Sequence, residues 1–130
     1  MSLAAPALAK DTALEEYEIV GDAIPKPLGA LKGDAARGEA VIRDRRNGNC
    51  LICHKFPMPD EPFQGEIGPA LSGVGSRLSA GQIRLRLVDQ AKINPATLMP
   101  PYYRVDGLVN VAPEYEGAPA LTAQQIEDVV

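Results

Sequence analysis

The chain's two cysteines and its single histidine fall within five consecutive positions, Cys50-Leu51-Ile52-Cys53-His54. Two thiols at i and i+3 lie on the same face of one helical turn. So placed, they can add to the two vinyl groups of a haem and form two thioether bonds. The imidazole that follows then serves as proximal ligand to the iron. Other chemistries also use a Cys-x-x-Cys pair. A thioredoxin-like redox site expects a preceding strand and a βαβ pattern, and neither is visible here. A structural zinc site needs four ligands, and two Cys with one His fall short of that set. A plain disulfide in an exported protein stays open. The scarcity of aromatics, two Phe, four Tyr and no Trp, favours haem, because a porphyrin would itself fill the core.

An iron that moves electrons needs a second axial ligand, and with Cys and His used up a thioether is the natural choice. There are three methionines. Met1 is a start residue. Met58 lies four residues after His54, a stretch of at most ~14 Å, too short to round the porphyrin edge and return from the other face. Met99 sits in Thr97-Leu98-Met99-Pro100-Pro101-Tyr102, where two prolines stiffen the loop behind the sulfur. Met99 is therefore the candidate distal ligand, against the alternative of a core filler.

The elements that must position these groups read as helices joined by long loops. With 130 residues, 45% of them hydrophobic and 23% charged, the chain suits one soluble domain. Asp34 caps a helix expected to reach about Arg46 and to end at Asn47-Gly48-Asn49. Gly38 within it leaves room for another helix to approach closely. Arg43, Arg45 and Arg46 mark either a docking surface or a solvated helix face. Ser79 with Gln82, and Thr122 with Gln125, form capping boxes for two later helices. In the first of these Ile83, Leu85, Leu87 and Val88 supply apolar faces while Arg84 and Arg86 point to water, and the helix ends before Pro95. Ile126, Val129 and Val130 are the apolar stripe of the last. Residues 1–33 lack periodicity and read as an extended arm with one helical turn near Leu14–Tyr17. Ala7-Leu8-Ala9 reads either as the tail of a secretory signal or as a plain Ala-rich arm. The folded domain is then 34–130, all-α, with long loops. No apolar run approaches the ~20 residues of a membrane span. The net charge of −4 argues against nucleic acid and anionic membrane as partners.

Asp34 to Gly38, Cys50 to His54, Ile67-Gly68-Pro69-Ala70-Leu71-Ser72-Gly73-Val74-Gly75-Ser76-Arg77 and Met99-Pro100-Pro101-Tyr102 together resemble a class I c-type cytochrome. Asn49-Cys50, Met99 to Val105, Val111-Ala112-Pro113 and Leu121 to Val130 narrow the resemblance, over roughly residues 22–130, to the SoxX family. That family comprises the monohaem small subunits of the SoxAX thiosulfate-oxidising cytochromes. The resemblance implies a class I cytochrome c fold around one covalent haem c with a His54/Met99 iron. It implies a periplasmic location and a heterodimer with a larger SoxA-type cytochrome. It also implies transient dealings with a SoxYZ-type carrier and a downstream electron acceptor. The enzyme is then the complex, an L-cysteine S-thiosulfotransferase that attaches thiosulfate oxidatively to a carrier cysteine. This chain alone transfers electrons and has no catalytic residue of its own. In related cytochromes the proline at the place of Pro69 lies against the axial imidazole, and a nearby carbonyl accepts the ring N–H. Arg77 is either a bidentate partner for a haem propionate or an ordinary exposed arginine. The alternative function is a free-standing periplasmic shuttle of a respiratory chain.

Overall fold

The computed structural model describes residues 13–130. Ala7-Leu8-Ala9 lies outside them. Among the described residues four helices carry the fold: α1 (Ala35–Arg43), α2 (Val74–Arg77), α3 (Ala80–Asp89) and α4 (Ala123–Val129), with short 3₁₀ turns before and between them. Among the described residues the only β pairing is an isolated bridge between Val20 and Ala23. No helix there is long and apolar enough to cross a membrane.

The helix starts follow the sequence closely. Asp34 accepts the Arg37 N–H at the head of α1. Ser79 and Thr122 each form a full capping box, with Gln82 and Gln125 returning the bond. These caps satisfy donors that helix geometry leaves orphaned. The end of α1 differs from expectation, while α3 ends before Pro95 as the sequence predicts. Helix α1 stops at Arg43, not Arg46, because the Asp44 carboxylate accepts from the Arg46 N–H and the Asn47 side chain and turns the chain aside. Helix α3 gives way at Asp89 to a 3₁₀ turn over Gln90–Lys92.

Helices α1 and α4 cross at Gly38, where a Cβ would overlap the Asp128 carbonyl, so the close approach requires glycine. The core joins Leu85, Leu87 and Val88 of α3, Ile126 of α4, Tyr102, Tyr103 and Leu121, with Ile24 and Leu28. The last two correct the picture of a free arm before Asp34. Ile24 donates its N–H to the Gly81 carbonyl, and Leu28 is fully buried. No helical turn forms at Leu14–Tyr17.

A second correction concerns Arg84, which points inward. Its guanidinium grips Glu127 through two bonds, 2.7 and 2.9 Å, and donates a third to the Ile24 carbonyl. Glu127 also accepts the Leu28 N–H. Both side chains are 4% exposed, so this pair clamps the N-terminal segment, α3 and α4 together in the dry interior. Arg86 is half-buried and donates to the Gln82 carbonyl.

Candidate haem site

Cys50 opens a 3₁₀ turn, Cys50–Ile52, that starts from Asn49 in the left-handed region at φ 50°. Asparagine tolerates that conformation better than most residues. Both cysteines are free thiols, Cys50 buried and Cys53 half-buried. Burial pushes the Cys50 thiol up, so it stays protonated and is a poor nucleophile. Among the described residues no three Cys, His, Asp or Glu side chains gather as a metal-binding set. The Cys-Cys-His triplet is thus not a closed zinc-type cage.

The chain after His54 doubles back along the motif. Gly65, Gly68 and Leu71 donate their N–H groups to the carbonyls of Leu51, Cys53 and Lys55, at 2.7, 2.7 and 2.8 Å. The loop between is closed on itself by Gln64, which accepts from the Phe56 N–H and donates to the carbonyls of Met58 and Glu61. This ladder brings the Pro69 carbonyl to His54 Nδ1 at 2.7 Å. A carbonyl can only accept, so Nδ1 carries the proton and the Nε2 lone pair is left for a metal. Gly68 lies so close to the ring that a Cβ there would overlap the imidazole. Phe56 meets the ring edge-on at 6.4 Å between centroids.

The arginines near the motif hold this loop. Arg43 pairs with Glu39, Asp60 and Glu61, and Arg45 reaches Glu61 and the Phe63 carbonyl. Arg77 donates to the carbonyls of Ala70 and Ser72, at 3.2 and 2.6 Å, bracing the stretch just after Pro69.

Met99 is half-buried at the edge of the core, its N–H donating to Thr97 Oγ1. Three residues on, the chain is fastened firmly. Tyr102 donates its hydroxyl to the Gly48 carbonyl at 2.8 Å, its N–H to Leu87, and accepts at its carbonyl from Leu121. Tyr103 donates its N–H to Val88, and its hydroxyl accepts the Glu15 N–H. Burial pushes the Tyr102 phenol up, with smaller contributions from the Cys50 and Cys53 thiols nearby. The Met99 segment is thereby tied to the turn that carries the cysteines. Met58 goes elsewhere, lining a groove with Gly38, Ile42, Val129 and Val130 beside the α1–α4 crossing.

Ile52, Ile67 and Leu98, neighbours in sequence of Cys53, Gly68 and Met99, are 55, 67 and 83% exposed. Large apolar side chains bared around a thiol pair and an open imidazole nitrogen suit an apolar macrocycle that bonds to both. The residues fit a haem.

The chain is similar to one in the crystal structure of SoxXA from P. pantotrophus, at 34% sequence identity over 88% of this chain and 89% of that one, with a TM-score of 0.81. The chain belongs to the SoxX family. Its all-α architecture is the class I cytochrome c fold. No family model matches the chain, and no curated protein does. In this SoxX-family chain the spacing of Cys50, Cys53 and His54 is the local signal for the candidate site. Sequence reasoning assigns no role to Gln64, and none to Gly68 or Tyr102 beyond their places in the family motifs. Of these only Gly68 carried a signal, since a Gly-Pro pair after the motif marks backbone meeting something closely.

Proposed function

We propose that this chain is the electron-transferring small subunit of a periplasmic SoxXA-type complex that oxidises thiosulfate. In this reading it carries one haem c, attached through Cys50 and Cys53 and held by His54 and Met99. The bond from His54 Nδ1 to the Pro69 carbonyl carries the reading, because it leaves Nε2 as the single open donor of the motif. When bound, the haem supplies a one-electron couple whose potential a thioether ligand raises.

The protein's own residues do the positioning. Pro69 holds the ring orientation and strengthens Nε2 as a donor. Gly68 leaves the imidazole no room to swing, and Arg77 braces the loop behind Pro69. Pro100 and Pro101, backed by the Tyr102 and Tyr103 anchors, restrict where the Met99 sulfur can go.

Nothing remains in this chain for bond-making. With both thiols consumed as thioethers there is no thiolate nucleophile, and a ligating His54 is no general base. Joining a carrier thiol to thiosulfate makes one sulfur–sulfur bond and releases one proton and two electrons. That step belongs to a SoxA-type partner acting on a SoxYZ-type carrier. This chain takes the electrons one at a time and passes them to a downstream acceptor.

The test assays the isolated chain, the isolated partner and the recombined pair with thiosulfate and a carrier thiol. Turnover in the recombined pair alone supports the assignment. Turnover by the isolated chain overturns it. Purification from thiosulfate-grown cells without a larger haem protein would favour a free-standing shuttle instead.

A further inference from the structure

Tyr102 is a buried side chain that neither binds iron nor bonds to haem in the reading above, yet it touches both halves of the site. Its hydroxyl spans 54 positions of sequence to the Gly48 carbonyl. Gly48 precedes Asn49, whose left-handed backbone launches the Cys50–Ile52 turn. A Cβ on Gly48 would press on Cys50 Sγ at 3.3 Å, so this carbonyl belongs to the attachment turn itself. On its other side Tyr102 follows Met99 by three residues, two of them prolines that transmit a fixed direction. Met99 has little grip of its own, since its N–H reaches only the Thr97 hydroxyl.

We propose that Tyr102 is a positioning residue for the distal ligand: its hydroxyl, donating to Gly48, locks the Met99 loop in register with the haem-attachment turn. The proposal rests on Met99 being that ligand. Tyr103 supplies the internal control. It is the adjacent tyrosine, likewise buried and also bonded through its hydroxyl, but to Glu15 in the N-terminal segment rather than to the attachment turn.

The two tyrosines therefore make separable predictions for holo-protein titrated with imidazole, which competes with a thioether for ferric iron. Losing one buried hydrogen bond that favours the Met99-bound state should tighten imidazole binding roughly fivefold in Tyr102→Phe. The sulfur-to-iron charge-transfer band should also vanish at lower pH than in wild type. Tyr103→Phe should keep the wild-type imidazole affinity and midpoint. Equal tightening in both variants, or none in Tyr102→Phe, overturns the proposal. If wild-type protein shows no charge-transfer band, the ligand assignment has failed, and that result is distinct from failure of the tether.

Coupling is reciprocal, so the wild-type protein offers a second reading that needs no variant. Displacing Met99 with imidazole should speed exchange of the Tyr102 hydroxyl proton, seen by NMR, by a similar roughly fivefold factor. That of Tyr103 should not change. An unaltered Tyr102 hydroxyl in the imidazole adduct contradicts the lock.

Discussion

The His54 side and the Met99 side of the site are fastened in opposite ways. On the His54 side the restraints lie close along the chain. The backbone bonds from Gly65, Gly68 and Leu71 return to residues 14 to 16 positions earlier, and Pro69 reaches His54 within the same loop. On the Met99 side the restraints come from far away. Tyr102 leans on Leu87, Leu121 and Gly48, and Tyr103 on Val88 and Glu15. His54 is thus held by the loop that follows it, with Arg43 and Arg45 bracing that loop, and the Met99 segment by the assembled fold. The difference teaches that the Met99 side should fail first when the framework is loosened, because α3 and the Leu121 segment leading into α4 supply its anchors.

The largest expected effect breaks that framework. Glu127→Ala would leave Arg84 as an unpaired buried charge and free the Leu28 N–H, costing about 3–5 kcal/mol. Short of unfolding, amide exchange should accelerate at Tyr102 and Tyr103 while Gly65 and Gly68 keep their protection. Equal acceleration on both sides would erase the contrast.

A smaller effect attacks the proximal side alone. Gly68→Ala sets a methyl into the His54 ring, an overpacking worth ~1–3 kcal/mol. Thermal unfolding should register it, and the proximal imidazole resonances should shift while the Tyr102 and Tyr103 amides stay protected.

The smallest is set by pH. The Asp128 carboxyl is held down at about 2, first by the Arg37 guanidinium and then by Gln124 and the Asp34 N–H. Because the folded value lies below the ordinary 3.8, the stabilisation is fully present above that value. It drains away as pH falls through about 2. Stability of Asp128→Asn should therefore vary less between pH 5 and pH 2 than that of wild type, as acid-induced unfolding would report.

The same local-versus-distant division decides what the sequence revealed. The Cys50–His54 motif, the Asp34, Ser79 and Thr122 caps and the gap at Gly38 are written in neighbouring residues, and each is present in the structure. Charge alone groups Arg84 with Arg86 as a water-facing residue, and nothing nearby announces that Glu127, 43 positions on, waits inside. Ile24 and Leu28 sit in a stretch without periodicity, so their burial against α3 and α4 left no pattern to read. The Tyr102 and Tyr103 anchors are invisible for the same reason. Helix α1 ended early through an Asp44 side-chain turn, a short-range competition that capping rules leave undecided.

The central claim, a His54/Met99 iron on a haem held by Cys50 and Cys53, is tested most directly by ferric absorption spectra of Met99→Ala and Met58→Ala holo-proteins. Met99→Ala should lose the sulfur-to-iron charge-transfer band, and Met58→Ala, altered only in the groove beside α1 and α4, should keep it. Loss of the band in Met58→Ala with its survival in Met99→Ala would contradict the account.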